Sequence, residues 1–201
     1  MSQQVIASIA TSLDGFAAGA NQSLESPFGE GIGDKLHRWM FEDADNNAAE
    51  LGALNSHGAY IIGRNMFGPG RGAWDLDWRG WWGETPPYRA PVFVLTHHAR
   101  EPLVMEGGTT FTFVTGGIHA ALEQARAAAG GLSVSIHGGA NVLRQYLAAG
   151  LVDELRLFLA PEILGSGENI FSGLPPIRLE QLSARQTRYV THLNYKVLAG
   201  E

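Results

Sequence analysis

Short apolar runs rich in β-branched and aromatic residues alternate along this chain with helical patterns, and that alternation constrains the fold more than any other feature. The runs are VIASIAT (5–11), AYIIG (59–63), PVFVLT (91–96), TFTFVTG (110–116), LSVSIHG (132–138), DELRLFLAPEIL (153–164) and RYVTHLNYKVL (188–198). Between them, Ile118, Leu122, Ala125 and Ala129 share one helical face. Leu143, Tyr146 and Leu147 share another, stopped by Gly150. Parallel strands need crossover connections, so strands separated by helices predict an α/β protein with a mostly parallel sheet covered on both faces. The end of the chain departs from this pattern. Tyr189, Thr191, Leu193, Tyr195 and Val197 alternate with mostly polar neighbours and follow no helix, which predicts an antiparallel C-terminal edge strand.

A chain of 201 residues that is 45% hydrophobic is long enough to bury one sizeable core, so residues 1–201 read as a single domain. A net charge of −6 with only 17% charged residues argues against nucleic acid as a partner. It does not exclude a small anionic ligand, which a few backbone amides and one arginine suffice to bind. The absence of cysteine excludes disulfides, thiol nucleophiles and cysteine-based metal sites. The first residues, MSQQVIASIATSLDG, lack a basic segment followed by a long apolar one, and no run approaches the ~20 apolar residues of a membrane span. A soluble cytoplasmic protein is expected.

The chemistry-bearing signals fall at strand ends. After LSVSI, the adjacent glycines Gly138 and Gly139 open a helix beginning Ala140, Asn141 and Val142. Missing side chains there let a ligand approach the main chain, and the helix start offers unpaired N–H groups to a phosphate. A tight turn demanding positive φ explains the pair equally well. The second signal is AYIIG followed by Arg64, Asn65 and Met66, where an arginine just beyond a strand suits a phosphate. A third strand ends in Thr96 and His97. If the strands are parallel, these three ends converge on one crevice.

Other chemistries are poorly supported. The G-x-G-x-x-G fingerprint of a standard dinucleotide-binding domain is missing at Gly138. The histidines form no chelating cluster, so no metal site is expected. The segment Gly165 to Gly167 is not a serine-hydrolase elbow. Two stretches dense in glycine and proline, 21–34 and 67–91, read as long loops, and the second carries Trp74, Trp78, Trp81 and Trp82. That loop either lids a pocket for a planar ligand or packs its own aromatics or a subunit interface.

TSLDGFAAG, IIGRNMF, VFVLTHHAREP and HGGANVLRQYLAAGLVDELRLFLAPEILGSGENIF, in this order, resemble the dihydrofolate reductase fold, in particular the group of the riboflavin-biosynthesis reductase domain. The resemblance implies a single-domain, three-layer dihydrofolate reductase-like fold and an NADPH-dependent reductase of a small heterocyclic or carbonyl substrate. It implies that Gly63, Arg64, Asn65 and Met66 hold the cofactor's phosphates and adenosine, and that Thr96 and His97 lie by its 2′-phosphate. It further implies that Gly138 and Gly139, joined by a cis peptide, touch nicotinamide and pyrophosphate, with Ala140, Asn141 and Val142 opening the phosphate-binding helix. A homodimer is also implied. In the riboflavin enzymes a lysine or arginine commonly follows the first loop's glycine, whereas Phe16 follows Gly15 here, a departure that speaks against a sugar-phosphate substrate.

The protein must supply a proton to the reduced group. Dihydrofolate reductases use a carboxylate on the helix before the second strand, and Glu42, Asp43, Asp45 and Glu50 lie in that region here. Asp14, in SLDG, is the preferred functional carboxylate, although aspartate before glycine also simply forms turns. His137 precedes the glycine pair and either faces the pocket or is a structural or exposed strand-end histidine. A binding protein that holds a nucleotide or flavin without turnover is the rival reading.

Overall fold

The computed structural model describes residues 3–68, 70 and 72–199; Pro69 and Arg71 of the tryptophan-rich loop lie outside the described residues. In chain order the elements are β1 (Val5–Thr11), α1 (Arg38–Phe41), α2 (Ala48–Leu54), β2 (Ala59–Gly63), α3 (Arg64–Phe67), β3 (Pro91–Leu95) and β4 (Leu103–Val104). There follow β5 (Thr110–Val114), α4 (Gly117–Ala128), β6 (Val134–Ile136), α5 (Ala140–Ala148), β7 (Glu154–Leu159), β8 (Leu179–Gln186) and β9 (Thr191–Val197). The strands form one sheet in the order β4-β5-β3-β2-β6-β1-β7-β9-β8. Pairing is parallel from β5 through β3, β2, β6 and β1 to β7.

The antiparallel edge foreseen from the 189–197 alternation is present, with β9 antiparallel to β7. A further strand outside it, β8, is missing from the sequence reading, as is the short β4 at the opposite edge. Every residue of β8 is exposed, so burial imposed no alternation on LEQLSARQ, and β4 is only two residues long.

Side-chain alternation along the parallel strands builds two cores. Val5, Ala7, Ile61, Val134 and Ile136 face α4 and α5, where Ala121, Leu122, Ala125, Leu143, Tyr146 and Leu147 close over them. Each buried aliphatic side chain contributes roughly 1.5–3 kcal/mol relative to exposure, so this face anchors the domain. The Tyr146 hydroxyl donates to the Ile118 carbonyl at 2.7 Å and ties α5 to α4.

On the opposite face, Tyr60, Ile62, Val92, Val94 and Phe111 pack beneath the tryptophan-rich loop, and Ala10 and Phe158 pack under Leu36 and Trp39. Between these two patches the sheet presents Ser8, Ser135 and His137. Ile61 pairs with Ile136 and Ala7 with Ile136, which puts Ile62, His137 and Ser8 in one row across β2, β6 and β1.

Candidate functional site

The C-terminal ends of β3, β2, β6 and β1 lie side by side, so the three strand ends singled out in the sequence converge. The Gly63 amide donates to the Gly138 carbonyl at 2.7 Å, joining two of them directly. Gly138 and Gly139 are linked by a cis peptide bond, as expected. The two glycines are required for different reasons. Gly138 has φ +106°, a conformation side chains rarely adopt. Gly139 has φ −70°, which any residue tolerates, and a Cβ added there would meet nothing within 4 Å. Its side faces open space.

Gly139 caps α5 without a side-chain hydrogen bond, and the first-turn amides of Ala140, Asn141 and Val142 have no carbonyl one turn earlier to bond. The positive end of this nine-residue helix therefore points at the space beside Gly139. A cavity of about 720 Å³ opens there, lined by Gly63, Arg64, Asn65, Met66, Thr96, His97, Gly139, Ala140, Asn141 and Val142. All but one of the cofactor-binding residues named from the sequence thus share one cavity wall; Gly138 sits just behind it, its backbone against Ile9.

The detailed contacts sharpen several of these residues. Arg64 donates to the carbonyls of Gly70 at 3.0 Å, Gly72 at 2.6 Å and Ala73 at 3.3 Å, and stacks over Trp74 at 3.9 Å. It fastens the tryptophan-rich loop at the cavity's edge. Thr96 is buried, and its Oγ1 accepts from the His98 amide at 3.1 Å, while the His97 side chain is exposed.

The loop packs its own aromatics, one of the readings considered for it. Trp78 Nε1 donates to the Phe67 carbonyl at 2.9 Å, Trp74 Nε1 donates to the His98 carbonyl at 2.7 Å, and Trp82 stacks on Phe111. Trp81 and Trp82 also line the cavity.

The cavity continues past the strand ends over β1, where Ser8, Ala10, Phe28, His37, Trp39, Met40, Phe158 and Glu168 line it. None of these was singled out in the sequence. Phe28 and His37 come from the irregular region after β1, and Glu168 follows a glycine-rich turn, so no periodic pattern marks them.

The acidic residues suggested before β2 point elsewhere. Glu42 accepts from Arg38 at 2.9 and 3.0 Å, and Glu50 accepts from Arg185 at 2.6 and 2.7 Å. Asp43 accepts from Asn46 at 2.6 Å, and Asp45 lies exposed in a short turn. None of the four lines the cavity. Asp14 does not line it either. Its carboxylate accepts from Ser12 Oγ at 2.6 Å, the Gly165 amide at 2.7 Å and the Leu164 amide at 3.1 Å. The Ser12 hydroxyl, followed by the two amides, holds the group down to about 2. Asp14 thereby ties the β1 exit to the 164–165 turn.

His137 lines the cavity with its ring among Tyr60 at 5.0 Å, Tyr88 at 6.0 Å and His57 at 6.3 Å. Burial, then the charges of His57 and Arg156, push it down to about 3, so it is neutral at pH 7. His37 is held near 4, chiefly by burial.

A family model described as the RibD C-terminal domain matches residues 3–193. No curated protein sequence matches the chain. Among solved structures, a putative riboflavin biosynthesis protein from Shewanella sp. PV-4 superposes with a TM-score of 0.65 at 22% identity, covering 98% of this chain and 100% of that one. A pyrimidine reductase-like protein from Corynebacterium diphtheriae gives 0.59 at 18% identity, with 98% and 93% covered. Dihydrofolate reductase from Enterococcus faecalis, complexed with NADP(H) and RAB-propyl, gives 0.57 at 16% identity, with 96% of each chain covered. At these identities the superpositions bear on the fold, which is dihydrofolate reductase-like.

Proposed function

This chain belongs to the RibD C-terminal domain family, a family of reductases, and from that premise we propose that it is an NADPH-dependent reductase of a small heterocyclic or carbonyl substrate. One observation carries the reading: a single cavity joins the amide-lined start of α5, beside the open face of Gly139, to an aromatic pocket over β1. The first half suits a dinucleotide and the second a ring.

NADPH, when bound, supplies the hydride. Ala140, Asn141 and Val142 would hold its pyrophosphate through their amides, with Gly138 and Gly139 leaving room for nicotinamide. Gly63, Arg64, Asn65 and Met66 would border the adenosine half, with Thr96 and His97 at its 2′-phosphate. The aromatic pocket excludes water from the acceptor. The protein would supply a proton to the oxygen or nitrogen of the reduced acceptor.

Glu168 is the carboxylate among the described lining residues, and we assign proton supply to it. Asp14, fully ionised at neutral pH, is assigned a positioning role for the β1 exit. Among the described residues no helix is long and apolar enough to cross a membrane; a cytoplasmic location is part of the proposal. Exposed Leu179 and Leu182 on the outermost strand offer a surface for a homodimer.

The test begins with binding. NADPH at 100 times its dissociation constant adds about 2.7 kcal/mol to stability and raises Tm visibly. Absence of any shift with NADPH or NADH removes the reductase reading. A shift without NADPH oxidation by any pterin, pyrimidine or quinone acceptor leaves a nucleotide-binding protein on the same scaffold.

A further inference from the structure

We infer that the pocket over β1 takes a planar, uncharged ring compound that carries no phosphate. The inference deepens the reductase reading and rests on it only for which half of the cavity the acceptor occupies. Among the described residues that line the cavity, the sole lysine or arginine is Arg64, at the end beside α3. Among the described lining residues over β1 there is none. Basic side chains on the segments around this half are engaged elsewhere: Arg38 pairs with Glu42 at 2.9 Å and stacks on Tyr189 at 4.2 Å, Lys35 donates to the Gly31 carbonyl at 3.4 Å, and Arg144 donates to the Asn169 carbonyl.

The acidic side chain that lines this half, Glu168, offers a phosphate no counter-charge. A phosphate placed here would lose its hydration without gaining a cation. The two histidines lining this half, His37 and His137, are neutral at pH 7 because they are buried, so they do not substitute for one.

What the pocket offers instead is flat apolar surface and neutral hydrogen-bonding groups. Phe28 stacks on His37 with ring centroids 4.5 Å apart, and Trp39 lies 4.9 Å from Phe158. Ser8 Oγ, His37 Nδ1, Trp39 Nε1 and His137 Nε2 are buried and have no hydrogen-bond partner among the described residues. All four residues line this half of the cavity. Buried polar groups without partners are uncommon in native proteins, and here they cluster where a ring's carbonyl or ring nitrogen would meet them. A neutral heterocycle or quinone matches both features; a sugar phosphate matches neither.

The experiment compares 1,4-naphthoquinone with 1,4-naphthoquinone-2-sulfonate, a pair differing by one fixed anion. The chain has no cysteine, so quinone addition to a thiol does not interfere. Binding is measured by calorimetry on the intact chain, with and without saturating NADP⁺, so turnover is not needed. The neutral quinone is expected to bind at least tenfold more tightly than the sulfonate in both states. Equal affinity, preference for the sulfonate, or binding of neither compound overturns the inference.

Phe41→Arg supplies the converse. Phe41 is 66% exposed on the pocket's rim, so the fold tolerates the change, and the sulfonate should gain at least threefold relative to the neutral quinone. An unchanged ratio in the folded variant overturns the placement. Failure of NADP⁺ to bind, with the quinone preference intact in its absence, would instead strike the reductase reading alone.

Discussion

Gly63 and Gly138, 75 residues apart in sequence, are joined by a 2.7 Å hydrogen bond from the amide of the first to the carbonyl of the second. That bond holds the exits of β2 and β6 together. Gly138 and Gly139 then divide the work, one meeting a backbone requirement and the other leaving a space.

This division makes an asymmetric prediction. In Gly138→Ala a side chain is forced to φ +106°, and strain of order 1–3 kcal/mol should lower Tm by several degrees. In Gly139→Ala the added methyl meets no protein atom within 4 Å, so Tm should stay within a degree or two. Its methyl occupies the cofactor's approach, and NADPH affinity should fall at least tenfold. Calorimetry on the two variants decides it; normal NADPH binding by Gly139→Ala would show that nothing presses there.

Arg64 should act on the loop as well as on the cofactor. Its guanidinium bonds three loop carbonyls and stacks on Trp74, so Arg64→Ala should release the loop at a cost of about 1 kcal/mol, modest because the contacts are partly solvent-exposed. Trypsin cleavage after the exposed Arg79 should then accelerate several-fold, and saturating NADPH should restore less protection than in the parent chain. Unchanged proteolysis would mean that the tryptophans alone hold the loop.

The architecture was legible in the sequence wherever burial imposed a rhythm. VIASIAT, AYIIG and LSVSIHG fold as the adjacent central strands β1, β2 and β6, and the α4 and α5 faces follow the helical spacing of Leu122, Ala125, Leu143 and Tyr146. β8 escaped because all eight of its residues are exposed. The cavity wall formed by Gly63 to Met66, Thr96, His97 and Gly139 to Val142 was legible because each of its residues sits at a strand exit or helix start. The ring pocket was not, since Phe28, His37, Trp39 and Glu168 are brought together by tertiary packing from irregular segments. Asp14 shows the limit of a local motif: aspartate before glycine marks the turn, but only the fold reveals that its carboxylate meets the amides of Leu164 and Gly165.

Asp14 also predicts a pH dependence. Its group is lowered from 3.8 to about 2 in the fold, so the stabilisation it gives is fully present above about 4 and is lost as pH falls toward 2. Asp14→Asn should therefore melt at a lower temperature than the parent at pH 7, with the two curves converging below pH 3. Thermal melts across that range provide the check, and a constant difference down to pH 2 would contradict the assignment.

The histidines under the cavity act in the same direction but at higher pH. His137 is pushed from 6.5 to about 3, mainly by burial among Tyr60, Tyr88 and His57, and His57 is pushed to about 4, again mainly by burial and then by Arg156. The unfolded chain binds protons at these sites below about 6.5 while the fold does not, so stability drops as pH falls from 6.5 toward 4. His137→Gln keeps a neutral polar side chain of similar length and removes one of these protonations. The fall in Tm between pH 7 and 4.5 should be smaller in the variant than in the parent, whatever their difference at pH 7. Parallel curves would mean that His137 is protonated in the fold, which would put a cation in the ring pocket and oppose the exclusion of phosphate argued from its lining.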